Sequence, residues 1–259
     1  MKNMFNIIVI TLAMIIAFLI YAFVFGNPDN FEDAAKKKPK PGNVIGMIYT
    51  GGPIVGILMG LIIISITFSF ERYFSINKAK GKGDISSFVK KVIDSLAKGE
   101  YDAALAECEK QRGSMANILR AAIERFKTIE NDPEYSTEKK MEEVQRAVDE
   151  ATNLETPLLE KNLVVLSTIA SISTLFGLLG TTIGMIRAFA AFGDTGTVDA
   201  TQLAIGISEA LYNTAGGLGG AIISIVAYNF FVTKVDNYVY MIDEAILNVT
   251  ELFTVKIKK

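Results

Sequence analysis

The sequence predicts an all-α, polytopic membrane protein whose long helices extend into a helical polar domain. Half of its 259 residues are hydrophobic, and they fall in blocks rather than evenly. Four of those blocks reach the roughly 20 mostly apolar residues that a bilayer-crossing helix needs. The polar block between the second and third of them shows helical spacing of its apolar residues and no alternating strand pattern.

The first element, Phe5 to Phe25, follows Lys2 and is longer than the apolar core of a signal peptide. No clean Ala-x-Ala site follows it, so 1–25 is expected to be a retained anchor helix. It carries no polar stripe and is expected on the lipid-facing periphery. Residues 26–43, "GNPDNFEDAAKKKPKPGN", are rich in Pro, Lys and Asn and read as a short solvated linker. The second span is placed at 44–70.

The polar block, 71–160, repeats apolar residues at helical intervals, as in Phe88, Val92, Ile93 and Leu96, then Ile118, Leu119, Ala122, Ile123 and Phe126. Gly99, Gly113 and the turn "ENDPEYS" at 130–136 separate its helices, and Ser136 or Thr137 opens the last of them. From there the helical pattern is expected to run, apart from Pro157, into the third span at Leu163 to Phe192. The fourth span covers Leu203 to Val232, the membrane pair occupies 161–233, and a C-terminal helix is expected over 234–259.

Flanking charge sets the orientation. Arg72, Lys78, Lys80 and Lys82 follow the second span and Lys234 follows the fourth, whereas the 187–202 connection holds Arg187 against Asp194 and Asp199. The polar block and the C-terminal tail are therefore expected in the cytoplasm. Lys36, Lys37, Lys38 and Lys40 then lie outside, offset in part by Asp29, Glu32 and Asp33.

Composition also excludes. A net charge of −2 gives no basic excess for nucleic acid. The single cysteine, Cys108, rules out an internal disulfide and a cysteine-rich metal site, and the absence of histidine leaves carboxylates as proton carriers. No nucleophile–base set, metal cluster or phosphate loop is recognisable, so neither an enzyme nor a cofactor is expected. "GGLGG" at 216–220 lies within a helical run and is no dinucleotide fingerprint.

Both of the last spans are polarised. At 100° per residue, Ser167, Ser171, Thr174 and Thr181 share an arc of about 80°, with Gly177, Gly180 and Gly184 on the neighbouring face. In the fourth span Gln202, Gly206, Glu209, Asn213, Gly216, Gly217, Gly220 and Ser224 share about 100°. The glycines are assigned to close helix packing, with Gly216 and Gly220 forming a GxxxG unit. The hydroxyls either line a pore, with Ser171, Thr174 and Asn213 as further candidates, or bond to their own backbone.

Glu209 is the exceptional residue, because an acid at the centre of a span costs about 2.5–3.5 kcal/mol on insertion scales. It reads as a proton or ion site. The alternative is a structural acid, hydrogen-bonded to Asn213 or to a neighbouring helix, or reaching the interface.

At "FGLLGTTIGMIRAF" (176–189) and "GISEALYNTAGGLGGAIISIVAYNFF" (206–231) the sequence resembles the ExbB/TolQ/MotA proton-channel family, and most closely its ExbB/TolQ branch. The resemblance implies that Glu209, Thr181 and Thr214 form the proton pathway. It implies a homo-oligomer, a pentamer, around a dimer of a single-span partner of the ExbD/TolR type. It further implies location in the bacterial inner membrane and proton-driven work at the outer membrane, through a periplasmic arm or a TonB-like protein. Ser173-Thr174-Leu175-Phe176 stands where the family often has proline, and the extra first span makes four helices, as in the MotA branch. The functional charges and membrane prolines of that branch, which serves motility, have no counterpart here. Arg187, near the outer end of the third span, either screens the pore mouth or snorkels to the interface.

Overall fold

The computed structural model describes residues 2–33, 35, 38–190 and 200–257. Lys36, Lys37, Asp194, Asp199 and the expected end of the third span at Phe192 lie outside the described residues. Nine α-helices are described: α1 (Lys2–Leu19), α2 (Val44–Tyr49), α3 (Pro53–Ala79), α4 (Ile85–Lys98), α5 (Tyr101–Gln111), α6 (Ser114–Ile129), α7 (Thr137–Glu160), α8 (Leu163–Ala190) and α9 (Ala200–Ile257). Among the described residues, the extended structure is one isolated antiparallel bridge between Phe31 and Pro39. Helices long and apolar enough to cross a membrane number four among the described residues, so the chain is an all-α, multi-pass membrane protein.

The helices gather into two compact units, Met1–Phe70 with Asn162–Asn229, and Glu71–Lys161 with Phe230–Lys259. In the first unit α8 and α9 meet along their glycines. A methyl on Gly184 would lie 2.7 Å from Gly206 O, one on Gly217 would lie 2.6 Å from Ser173 O, and one on Gly180 would overlap Asn213 Cβ. Side chains there would hold the backbones apart, so small residues set the interhelical distance. Gly216 faces α3, near Leu58, and Gly220 lies between Ser173 of α8 and Ile62 of α3. A buried hydroxyl pair joins α9 to α3, with Ser224 Oγ donating to Ser65 Oγ at 2.9 Å.

Three local expectations are corrected in this unit. The second span divides, because Gly52, at φ +76°, and Pro53 interrupt the helix between α2 and α3. The linker folds back: Asn30 Nδ2 donates to the carbonyls of Val24 and Phe25, and Phe31 is buried with its ring edge on Tyr49. The first span is peripheral on one side only. Ile7, Ile8, Leu12 and Ile15 are exposed, but Ala13 and Ala17 are buried, and methyls on Gly56 and Gly60 of α3 would strike Phe18 and Met14. Its last turn, Ile20–Phe25, is π-helical and stacks Tyr21 on Tyr49 at 4.7 Å.

In the second unit the periodic residues Phe88, Val92 and Leu96 and Ile118, Leu119, Ala122, Ile123 and Phe126 are buried. Asp84 caps α4 by accepting from Ser87 N at 2.7 Å, and Gly99 closes it in the left-handed region. Ser136 caps α7, which carries Pro157 without a break and ends at Lys161 and Asn162 (φ +64°), so the run from Thr137 does not continue unbroken into the third span. The expected separate C-terminal helix, 234–259, is instead the continuation of α9, whose Phe253 stacks on Phe126 at 3.9 Å. Arg72, nearly sealed from solvent, is paired with Glu71 at 2.5 Å and donates to Leu159 O at 3.4 Å.

Candidate functional site

The site is built where the polar faces of α8 and α9 meet the Thr50–Gly52 loop. One turn separates Glu209 from Asn213 on α9, so both point to the same side. Asn213, buried, donates from Nδ2 to Gly51 O at 2.8 Å and so fastens the loop to the helix. Its Oδ1 has no hydrogen-bond partner among the described residues, and neither does the buried Ser173 Oγ. Gly52 then lies over Glu209, since a methyl there would sit 3.0 Å from Oε1.

The Glu209 carboxylate meets the Arg187 guanidinium of α8, with Nη1 donating to Oε1 at 2.5 Å. The side chain of Glu209 is 4% exposed and that of Arg187 is 56% exposed. Exposed pairs contribute about 0–1 kcal/mol, whereas losing one partner of a buried pair costs about 3–5 kcal/mol. With one member buried and the other half in the open, this pair falls between those limits. A cavity of about 350 Å³ adjoins it, lined by Tyr21, Tyr49, Thr50, Gly52, Gln202, Ile205 and Gly206 as well as the two charged residues. Tyr21 OH donates to Tyr49 O at 3.3 Å across its wall.

Thr181 and Thr214 are brought together elsewhere on the same helix pair. Their hydroxyls hydrogen-bond directly, one donating to the other, while the accepting hydroxyl spends its own proton on its helix; the backbone acceptors in reach are Gly177 O, 3.2 Å from Thr181, and Ala210 O, 3.1 Å from Thr214. Neither threonine lines the Glu209 cavity. Ser171 and Thr174 are exposed and donate to Ser167 O and Ala170 O, so within this chain their hydroxyls serve their own backbone.

Of the structural alternatives for Glu209, a hydrogen bond to a neighbouring helix is the one present, and the donor is not Asn213 but the Arg187 cation, which the sequence did not single out as its partner. Arg187 lies 22 residues upstream, across a connection between helices, where no spacing rule links them. Tyr21 was missed because one tyrosine in an apolar helix makes no stripe. Among the described residues no group of three or more Cys, Asp or Glu is placed to hold a metal ion.

A bundle of helices long and apolar enough to cross a membrane, with a buried carboxylate, a hydroxyl pair and small-residue seams, defines a multi-pass membrane protein with polar groups set between its helices. Residues 110–244 match the MotA/TolQ/ExbB proton channel family, and the chain belongs to that family. It is 31% identical over 158 residues to the Tol-Pal system protein TolQ of Pseudomonas aeruginosa, covering 58% of this chain and 68% of that protein. It is 42% identical over 77 residues to the biopolymer transport protein ExbB of Aquifex aeolicus, covering 30% of this chain and 52% of that one. Identity to the putative biopolymer transport protein ExbB-like 1 of Synechocystis is 29% over 186 residues, covering 71% and 68%. Matches of this chain thus span from about half to about two thirds of these relatives. The names are those of the ExbB/TolQ branch, consistent with a proton-channel-type subunit of an energy-transducing system.

Proposed function

We propose that the chain is the channel subunit of a proton-driven motor in the bacterial inner membrane, acting without enzymatic chemistry. Five copies surround a dimer of a single-span ExbD/TolR-type protein, and proton flow moves that partner to do work at the outer membrane through a periplasmic arm or a TonB-like protein. The observation that carries this reading is a carboxylate, Glu209, nearly sealed inside a membrane-type helix at the edge of a polar cavity. Such an acid is retained at a cost of several kcal/mol, and a function that needs a reversible charge accounts for it. The Thr181–Thr214 hydroxyl pair can both donate and accept, as a proton relay requires. Each proton crossing releases about 2.3 kcal/mol per 100 mV. The basic cluster Arg72, Lys78, Lys80 and Lys82, with Lys234, supports a cytoplasmic position for the second unit.

The Arg187 ion pair favours a second reading, in which Glu209 is a structural acid and the protein is a non-conducting scaffold that positions its partner. Glu209→Gln separates the two, because it keeps size and hydrogen bonding while removing titration. The proton reading expects an assembled complex whose energy-dependent function falls about 100-fold or more, with partial activity in Glu209→Asp. A Gln variant with near-normal function would decide for the scaffold. The resemblance to the MotA branch leaves a motility stator as the remaining alternative, and co-purification of the single-span partner identifies which work is done.

A further inference from the structure

Among the described residues, Arg187 and Glu209 are the two charged side chains lining the cavity. We propose that Arg187 is a positioning residue for Glu209, a resident counter-ion that holds the carboxylate in place beneath Gly52 and swings into the adjoining cavity when Glu209 takes up a proton.

The geometry is asymmetric in the way such a device requires. Glu209 is fixed, with its carboxylate under the Gly52 backbone and its helix locked to α8 by Gly184 and Gly206. Arg187 is the open member, on a long side chain more than half exposed. Its guanidinium cannot lose its proton, so it keeps its charge throughout. Uptake of one proton by the carboxylate takes the pair from net zero to one positive charge and forms one O–H bond. The Arg187 salt bridge then lacks its anion and the guanidinium is released. The cavity offers it a destination, because the Tyr21 and Tyr49 rings on its wall present aromatic surface to a cation. Gly52 is part of the device: at φ +76° it approaches the pair without a side chain, and a methyl there would lie 3.0 Å from Glu209 Oε1 and 3.7 Å from Arg187 Nη1.

The proposal rests on a proton-carrying Glu209, but its test reads the pair directly. In the full-length, detergent-solubilised protein, dicyclohexylcarbodiimide modifies neutral carboxyl groups in apolar surroundings, and peptide mass spectrometry reports the rate at Glu209. Arg187→Gln should raise that rate on the order of tenfold, and Arg187→Lys should restore slow labelling. Should Arg187→Gln fail to fold, the reciprocal arm applies: phenylglyoxal should modify Arg187 faster in Glu209→Gln than in the wild type. Unchanged carbodiimide labelling in a folded Arg187→Gln, or unchanged phenylglyoxal labelling in Glu209→Gln, would overturn the positioning role. An inactive Glu209→Gln beside unchanged labelling would overturn that role alone, whereas accelerated labelling beside an active Glu209→Gln would overturn the proton reading on which the release step depends.

Discussion

The hydroxyls of Thr181 and Thr214 meet between α8 and α9, and each also has a carbonyl of its own helix within reach of its one proton. Replacing one by valine removes the mutual bond without leaving the other hydroxyl unsatisfied, so the expected loss is about 0.5–1.5 kcal/mol. Thr181→Val and Thr214→Val should therefore barely lower the melting temperature while weakening proton-dependent function, and Thr→Ser at either position should keep it. Equal losses for Val and Ser would show that shape, not the hydroxyl, is what matters. In the second unit, the Arg125 guanidinium hydrogen-bonded to Glu143, joined by Arg146 at 2.8 Å, holds that carboxyl below its ordinary range. A carboxylate depressed on folding contributes stability that is complete above its ordinary value and is lost as pH falls through the lowered one. The melting-temperature difference between wild type and Glu143→Gln should accordingly vanish in acid; a constant difference would assign the effect to packing. Burial pushes the Cys108 thiol up to about 12, so iodoacetamide should leave it unmodified at mildly alkaline pH until the protein unfolds.

At the scale of elements, the first helix joins the fold where glycines of α3 make room for it, Phe18 lying against Gly56 and Met14 and Ala17 against Gly60. Gly60→Leu would drive a branched side chain into Met14 and Ala17. Overpacking of that kind should lower the melting temperature by roughly 2–10 °C, and an unchanged value would mean that α1 is free to leave α3. Helix existence was legible at this scale because hydropathy length and the 3.6-residue period act within one segment, as at Phe88, Val92 and Leu96. The interruption at Thr50–Gly52 carried a signal, Gly-Gly-Pro, that the continuous apolar run from Val44 concealed. The α8 and α9 glycines announced close approach but not to what, since composition cannot distinguish a seam inside one chain from one between copies. The Arg187–Glu209 pair carried no such signal: two residues on different helices become neighbours through the approach of backbones at Gly184 and Gly206. Each residue drew attention alone, and only packing made them a pair.

For the whole molecule, the internal use of these glycines changes what assembly can rest on. Gly177, Gly180 and Gly184 are occupied by α9 of the same chain, so they are not open to a second copy. Outward-facing α8 and α9 instead present Leu178, Leu211, Leu218, Ile222 and Val226, which in a bilayer meet lipid tails or another copy. Lipid is as apolar as leucine, so apolarity alone does not drive association; close packing and polar contacts must. Gly180→Leu and Leu218→Ala should therefore fail differently. Gly180→Leu forces its side chain into Asn213, the residue that holds the Thr50–Gly52 loop, and should disrupt the folded chain itself, seen as lost thermal stability and lost Glu209-dependent function together. Leu218→Ala removes surface outside the α8–α9 seam and should leave the melting temperature of the subunit nearly unchanged while altering the oligomer if that face is shared between copies. Native mass spectrometry in mild detergent is expected to show pentamers of the wild type with the single-span partner bound, and reduced pentamer for Leu218→Ala only if Leu218 lies between subunits. Wild-type protein that remains wholly monomeric with its partner co-expressed would remove the shared pore, and with it the means by which Glu209 faces of several copies could act on one partner.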